Sequence, residues 1–156
     1  GADIDKRCHP VDILTPIGLN AQLPGVVADL AQQTARKVGR AVEDCHLLLA
    51  AHGSRHDAAS RQATLSVAKA IARERTFAGI EVAFLEERPL LDDQITKISG
   101  PAVVVGLFAS EGMHGAVDLP QSISQSGRGD VFLSLPLTQT DGLAQLICNE
   151  LNNTKG

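Results

Sequence analysis

Apolar residues gather in five short runs, at 11–17 (VDILTPI), 46–51 (HLLLAA), 80–85 (IEVAFL), 101–109 (PAVVVGLFA) and 131–137 (VFLSLPL). Within the runs apolar residues are largely contiguous, the pattern of strands buried on both faces. Between them the spacing changes to three and four, the period of a helix face. Val27, Leu30, Ala31, Thr34, Val38 and Ala41 make one such stripe, in a helix entered through Pro24. Thr64, Val67, Ala68 and Ile71 make another, in a helix predicted over 58–75 with Asp57 as its N-cap. A short helix is expected at 90–98, and a Gly- and Ser-rich helix or loop follows the fourth run. The last helix, capped by Asp141, carries Leu143, Leu146, Ile147 and Leu151 on one face. Strands alternating with helices predict an α/β fold: a three-layer α/β/α sandwich with a mainly parallel sheet, Rossmann- or flavodoxin-like in the broad sense.

The two ends of the chain resemble one another at a constant offset of about 120 residues, within the length range of one domain. Val11 aligns with Val131, Ile13 with Leu133, Pro16 with Pro136, Leu23 with Leu143, Val26 with Leu146 and Val27 with Ile147. Either any two strand–loop–helix units look this much alike, or residues 1–45 are the tail unit of a preceding tandem repeat. In the second case residues 46–156 form the main domain.

Composition narrows the functional classes. At 156 residues the chain has room for one proper core. A net charge of −4 with no Trp, no Tyr and four Phe supplies neither a basic face nor stacking aromatics, so no nucleic-acid partner is expected. The longest apolar run, at 102–109, is too short for a bilayer, and no charged-then-apolar leader opens the sequence. Three widely spaced cysteines, Cys8, Cys45 and Cys148, fit reduced thiols better than a disulfide framework. A cytoplasmic protein without membrane contact is the expectation.

In an open parallel sheet, ligands collect where strands end. His52 follows the second run, Glu86 and Glu87 the third, and Ser110, Glu111, Gly112, Met113 and His114 the fourth. Two imidazoles and a carboxylate therefore leave three strands at one edge. That donor set suits first-row divalent metals, and so few ligands leave coordination positions open. Each residue also has a plainer reading. Gly53-Ser54 suits an ordinary turn, Glu86 and Glu87 a solvated loop, His56 the surface, and the cysteines the core.

Three motifs carry a resemblance, spanning roughly 47–151: LLLAAHGSR, VAFLE, and GMHGAVDLP. In them the chain resembles the small class II chelatases of the CbiX type, which act on sirohydrochlorin in cobalamin or sirohaem synthesis. The resemblance implies a chelatase-like fold and an ATP-independent metal chelatase, a lyase acting on a tetrapyrrole. It makes His52 and His114 catalytic residues and, with Glu86, the metal ligands. The metal is a substrate, Co²⁺ first and Ni²⁺ or Fe²⁺ next, with no organic cofactor. Substrate binding falls to Ser54, Arg55, Arg88 and Gly112, the arginines meeting the carboxylates of the macrocycle, while Arg61 reads as a solvated helix face. Only Glu87 and Arg88 separate Glu86 from Pro89, one residue fewer than the family commonly has. Copies are expected to pair, as a homodimer or as tandem domains.

Two other functions fit the same residues. HGSR ahead of a helix suits a phosphoester hydrolase, with backbone N–H groups cradling the anion, but that reading leaves His114 unused. A non-catalytic metal- or tetrapyrrole-binding repeat would use the same residues as the chelatase.

Overall fold

The structure, a computed structural model, describes residues 16–56, 58–108 and 117–153. Its centre is β1 (His46–Ala51), in which every residue after His46 is buried. On one side β1 pairs in parallel with β2 (Gly79–Phe84), and on the other with β3 (Ala102–Gly106). β4 (Val131–Leu133) pairs in parallel with the far edge of β3, giving the order β2-β1-β3-β4. Because side chains alternate across a strand, the unbroken apolar run of β1 serves two cores. Leu47 and Leu49 join Val103 and Val105 beneath α1 (Leu23–Lys37), α2 (Ala59–Ala72) and α5 (Asp141–Asn153). Leu48 and Ala50 join Ala102 and Val104 beneath α3 (Leu91–Lys97) and α4 (Leu119–Gln125). Each fully buried leucine of β1 contributes about 1.5–3 kcal/mol of burial. The sandwich expected from the alternating runs is the one observed. No helix among the described residues is long and apolar enough to cross a membrane.

Several details differ from the sequence reading. Most of the first apolar run lies outside the described residues, and its last member, Ile17, opens a 3-10 turn, Ile17–Leu19. The described sheet therefore has four strands. β4 stops at Leu133, well short of residue 137. Ser134 N–H still reaches the Val104 carbonyl at 3.0 Å, and then Pro136, with no N–H to donate, starts a second 3-10 turn, Leu137–Gln139.

Helix α1 ends earlier than its stripe implied. Gly39 takes φ +72, Gly39 N–H bonds the Arg36 carbonyl and Arg40 N–H the Ala35 carbonyl, the paired bonds of a Schellman cap. Val38 and Ala41 consequently fall outside the helix and are exposed, and Ala28 and Ala35 join the buried face. The N-cap position of α2 is Ala58, and Asp57 lies outside the described residues. At α5 the cap is Thr140 rather than Asp141: Thr140 Oγ1 accepts the Leu143 N–H at 3.3 Å, and Asp141 sits in the first turn.

The likeness of the two ends is visible in the backbone. Pro16 (φ −52, ψ 130) and Pro136 (φ −54, ψ 136) each precede a three-residue 3-10 turn that closes on its own first carbonyl and leads into a long helix. Those helices, α1 and α5, touch: a Cβ added to Gly142 would stand 3.0 Å from Val26 Cγ1. Asn20 Nδ2 donates to Glu150 Oε2 at 3.1 Å across the same junction.

Candidate functional site

The strand order reverses at β1, because β2 lies to one side of it and β3 to the other. At such a switch point the loops leaving the strands diverge and open a crevice. His52 is the first residue beyond β1. Backbone pairing continues past the strand ends, with Leu85 N–H and Glu86 N–H reaching the His52 carbonyl at 3.2 and 3.1 Å. This brings the two side chains together: His52 Nε2 lies 3.2 Å from Glu86 Oε1, with 40% and 53% of the side chains exposed. The pair can hold a proton or offer one nitrogen and one oxygen to a cation, and it is open to solvent.

The turn after His52 depends on glycine. Gly53 has φ +73, and a Cβ there would lie 2.8 Å from Glu87 Cγ and 2.9 Å from Phe84 Cβ. Ser54 N–H donates to Glu87 Oε1 at 3.2 Å, and Ser54 Oγ accepts the His56 N–H at 3.2 Å, which tightens the approach to α2. Arg55 Nε donates to the Glu86 carbonyl at 3.0 Å, tying the two loops together. Arg88 is largely exposed and meets Asp93 at 3.3 Å. His56 is exposed, as expected.

The exit from β3 runs alongside: Leu107 N–H bonds the Ala50 carbonyl at 2.7 Å. Gly112 and His114 lie outside the described residues, which resume at Val117. Among the described residues no three His, Cys, Asp or Glu side chains are placed to hold a metal ion together. An apolar cavity of about 190 Å³ adjoins this edge, lined by Ile17, Ala63, Thr64, Leu107, Phe108 and Leu137.

Two residues were misjudged from sequence. Arg61 is not a free solvated face: its Nη1 lies 3.3 Å from Glu87 Oε2 and donates to the Arg88 carbonyl at 2.6 Å. Its guanidinium also stands 5.5 Å from the centre of the Phe84 ring. Glu87, read as a solvated loop residue, is 16% exposed. A partly buried carboxylate calls for a cation, but nothing in the spacing singles out Arg61, 26 residues away, as that partner.

Residues 46–154 match the CbiX family. The chain belongs to the CbiX family. It is 28% identical over 123 residues to a probable sirohydrochlorin cobaltochelatase of Halobacterium salinarum, covering 76% of this chain and 40% of that protein. Among solved structures it is similar to CbiX, described as the terminal enzyme of sirohaem biosynthesis in denitrifying bacteria. The TM-score is 0.80 at 28% identity, over 90% of this chain and 61% of the other. The fold is shared with SirB from Bacillus subtilis with Fe³⁺, TM-score 0.74 at 16% identity, over 90% of this chain and 56% of that one. The chain thus spans less than two thirds of the length of these CbiX and SirB relatives.

Proposed function

We propose that this CbiX-family chain inserts a divalent metal, Co²⁺ in the first place and Ni²⁺ or Fe²⁺ as alternatives, into sirohydrochlorin. The observation that carries the reading is the His52–Glu86 pair, 3.2 Å apart at the switch point of the sheet. It lies within the segment matched to the family. Insertion of M²⁺ must displace two pyrrole N–H protons. A neutral imidazole accepts protons near neutral pH, so once the ion has passed to the macrocycle His52 takes one proton, with Glu86 orienting the ring and steadying the imidazolium, and His114 takes the other. His114, which follows β3 in the sequence, is the second imidazole of this reading. His52, His114 and Glu86 hold the incoming ion with positions left open, so that the macrocycle nitrogens can displace them. Ser54, Arg55, Arg88 and Gly112 line the approach of the anionic macrocycle, and no organic cofactor enters the reaction.

We also assign residues 1–45 to the tail unit of a preceding repeat and residues 46–156 to the chelatase domain. The matching Pro16 and Pro136 turns and the α1–α5 contact support this. Copies pair as tandem domains or as a homodimer, and the reduced-thiol pattern suits the cytoplasm.

The deciding experiment follows sirohydrochlorin by absorbance with Co²⁺, Ni²⁺ and Fe²⁺, for the wild type, His52→Ala and His114→Ala. Insertion above the uncatalysed rate, lost in both variants, supports the proposal. Macrocycle binding without acceleration makes the chain a binding module. Binding of a phosphate analogue irrespective of metal favours the phosphoester hydrolase.

A further inference from the structure

Two consecutive glutamates leave β2, and they do different things. Glu86 faces His52. Glu87 packs beneath the Gly53–Ser54 turn, where its Oε1 accepts the Ser54 N–H at 3.2 Å. We propose that Glu87, held by Arg61, is a positioning residue for the His52–Glu86 pair: it latches the turn that sets the direction in which the imidazole leaves β1.

The latch answers a physical need. Gly53 sits at φ +73 with space for no Cβ, so the chain must use its most conformationally permissive residue directly after His52. On the near side of Gly53 the His52 carbonyl is tied to β2 by Leu85 and Glu86 N–H. On the far side the Glu87 carboxylate holds Ser54, so both flanks of the permissive residue are anchored to one loop. That loop is closed at its base, where Phe84 N–H donates to the Pro89 carbonyl at 2.9 Å.

Arg61 completes the arrangement from α2. It pairs with Glu87 Oε2 at 3.3 Å and donates to the Arg88 carbonyl at 2.6 Å. It also lies over the Phe84 ring, so its guanidinium is fixed by three partners from the end of β2 and the loop after it. Its charge neutralises Glu87 and leaves Glu86 as the carboxylate turned toward the imidazole. A fixed ring direction matters because partners that orient a ligating histidine govern its affinity and its proton transfer.

The inference rests on the chelatase reading, and its test separates the two. Wild type, Glu87→Ala and Glu87→Gln are compared in Co²⁺ insertion into sirohydrochlorin. The His52 ring resonances, assigned by their loss in His52→Ala, are followed by NMR without substrate. Glu87→Ala is expected to lower kcat about 10–100-fold, the range typical of lost orienting partners, with KM for the tetrapyrrole little changed and the ring resonances shifted. Glu87→Gln, whose amide oxygen still accepts the Ser54 N–H, is expected to restore most of kcat and the wild-type resonances. A wild-type kcat in Glu87→Ala, or a Gln variant as impaired as the Ala variant, would overturn the latch. A wild type that inserts no metal defeats the chelatase reading, and the His52 resonances then decide the latch alone. If Glu87→Ala does not fold, Arg61→Ala takes its place. Shifted resonances and a lower kcat would support the latch, and unchanged ones overturn it.

Discussion

Two histidine–glutamate pairs bridge β1 and β2, one at each end of the strands. At the amino edge His46 Nδ1 lies 2.9 Å from Glu81 Oε1, and the side chains are 21% and 28% exposed. At the carboxyl edge His52 Nε2 lies 3.2 Å from Glu86 Oε1, with exposures of 40% and 53%. The residue types are the same, but the backbone around them is not. His46 belongs to the ladder, in register with Gly79 and Ala102. Its N–H is bonded to the Pro101 carbonyl at 2.8 Å. Gly79 makes room for its ring, since a Cβ there would stand 2.7 Å from Nδ1. Glu81 Oε2 is buried with no partner, which limits what that pair adds to stability. The amino-edge pair is a closed clamp between strands. The carboxyl-edge pair sits beyond the ladder on loops, where side chains can meet a substrate. Position relative to the strand ends, more than residue type, separates a structural pair from a candidate site.

The largest expected difference is in turnover. His52→Ala should lower metal insertion about 10²–10⁴-fold, the usual scale for a lost acid–base group, while His46→Ala keeps the wild-type rate. Initial rates of both variants check this, and an equal loss in the two would erase the distinction between the edges.

The glycines beside the pairs offer a finer comparison. Gly53→Ala combines an unfavourable φ with a Cβ 2.8 Å from Glu87 Cγ, so it should impair turnover and stability together. Its backbone strain is about 1–3 kcal/mol. Gly79→Ala should displace His46 and lower the melting temperature without changing kcat. Melting curves paired with rates measure both, and normal turnover in Gly53→Ala would break the comparison.

The smallest effect concerns pH and also lies at the amino edge. Arg128 meets Asp130 through Nε and Nη2, both at 2.9 Å, and these hydrogen bonds hold the Asp130 carboxyl below its ordinary value of 3.8. A carboxylate depressed by folding contributes its full stability above that ordinary value. The contribution is lost as pH falls through the lower folded value. Asp130→Asn should therefore flatten the acid side of the melting temperature against pH profile. The His52–Glu86 edge should be insensitive to the change, as turnover at neutral pH would show.

Much of the scaffold was legible because it depends on local pattern. The contiguous run of residues 46–51 could be read as a doubly buried strand, and the 3–4 spacing from Thr64 to Ile71 as a helix face. His52 stood out as a candidate because it follows such a run. Where elements stop was less legible. β4 halts at Leu133 because Pro136 cannot extend the ladder, and α1 stops where Gly39 and Arg40 close its C-terminus. The cap of α5 moved from Asp141 to Thr140 because hydrogen-bond geometry, which composition does not encode, selects between neighbouring capping residues.

By itself the sequence determined the strand and helix periods, the α/β class, the family motifs and the placement of His52 and Glu86 just past strand ends. The periods, the class and the placement follow from spacing along one segment of chain, and the motifs from resemblance to a known family. Only the tertiary structure decided that His52 meets Glu86, that Glu87 turns away beneath Gly53, and that Arg61 reaches it from α2. It alone also showed that the equally ordinary His46 and Glu81 form a clamp. Those outcomes depend on parallel register and on which loops the ladder brings side by side, and such contacts join residues tens of positions apart that share no periodicity.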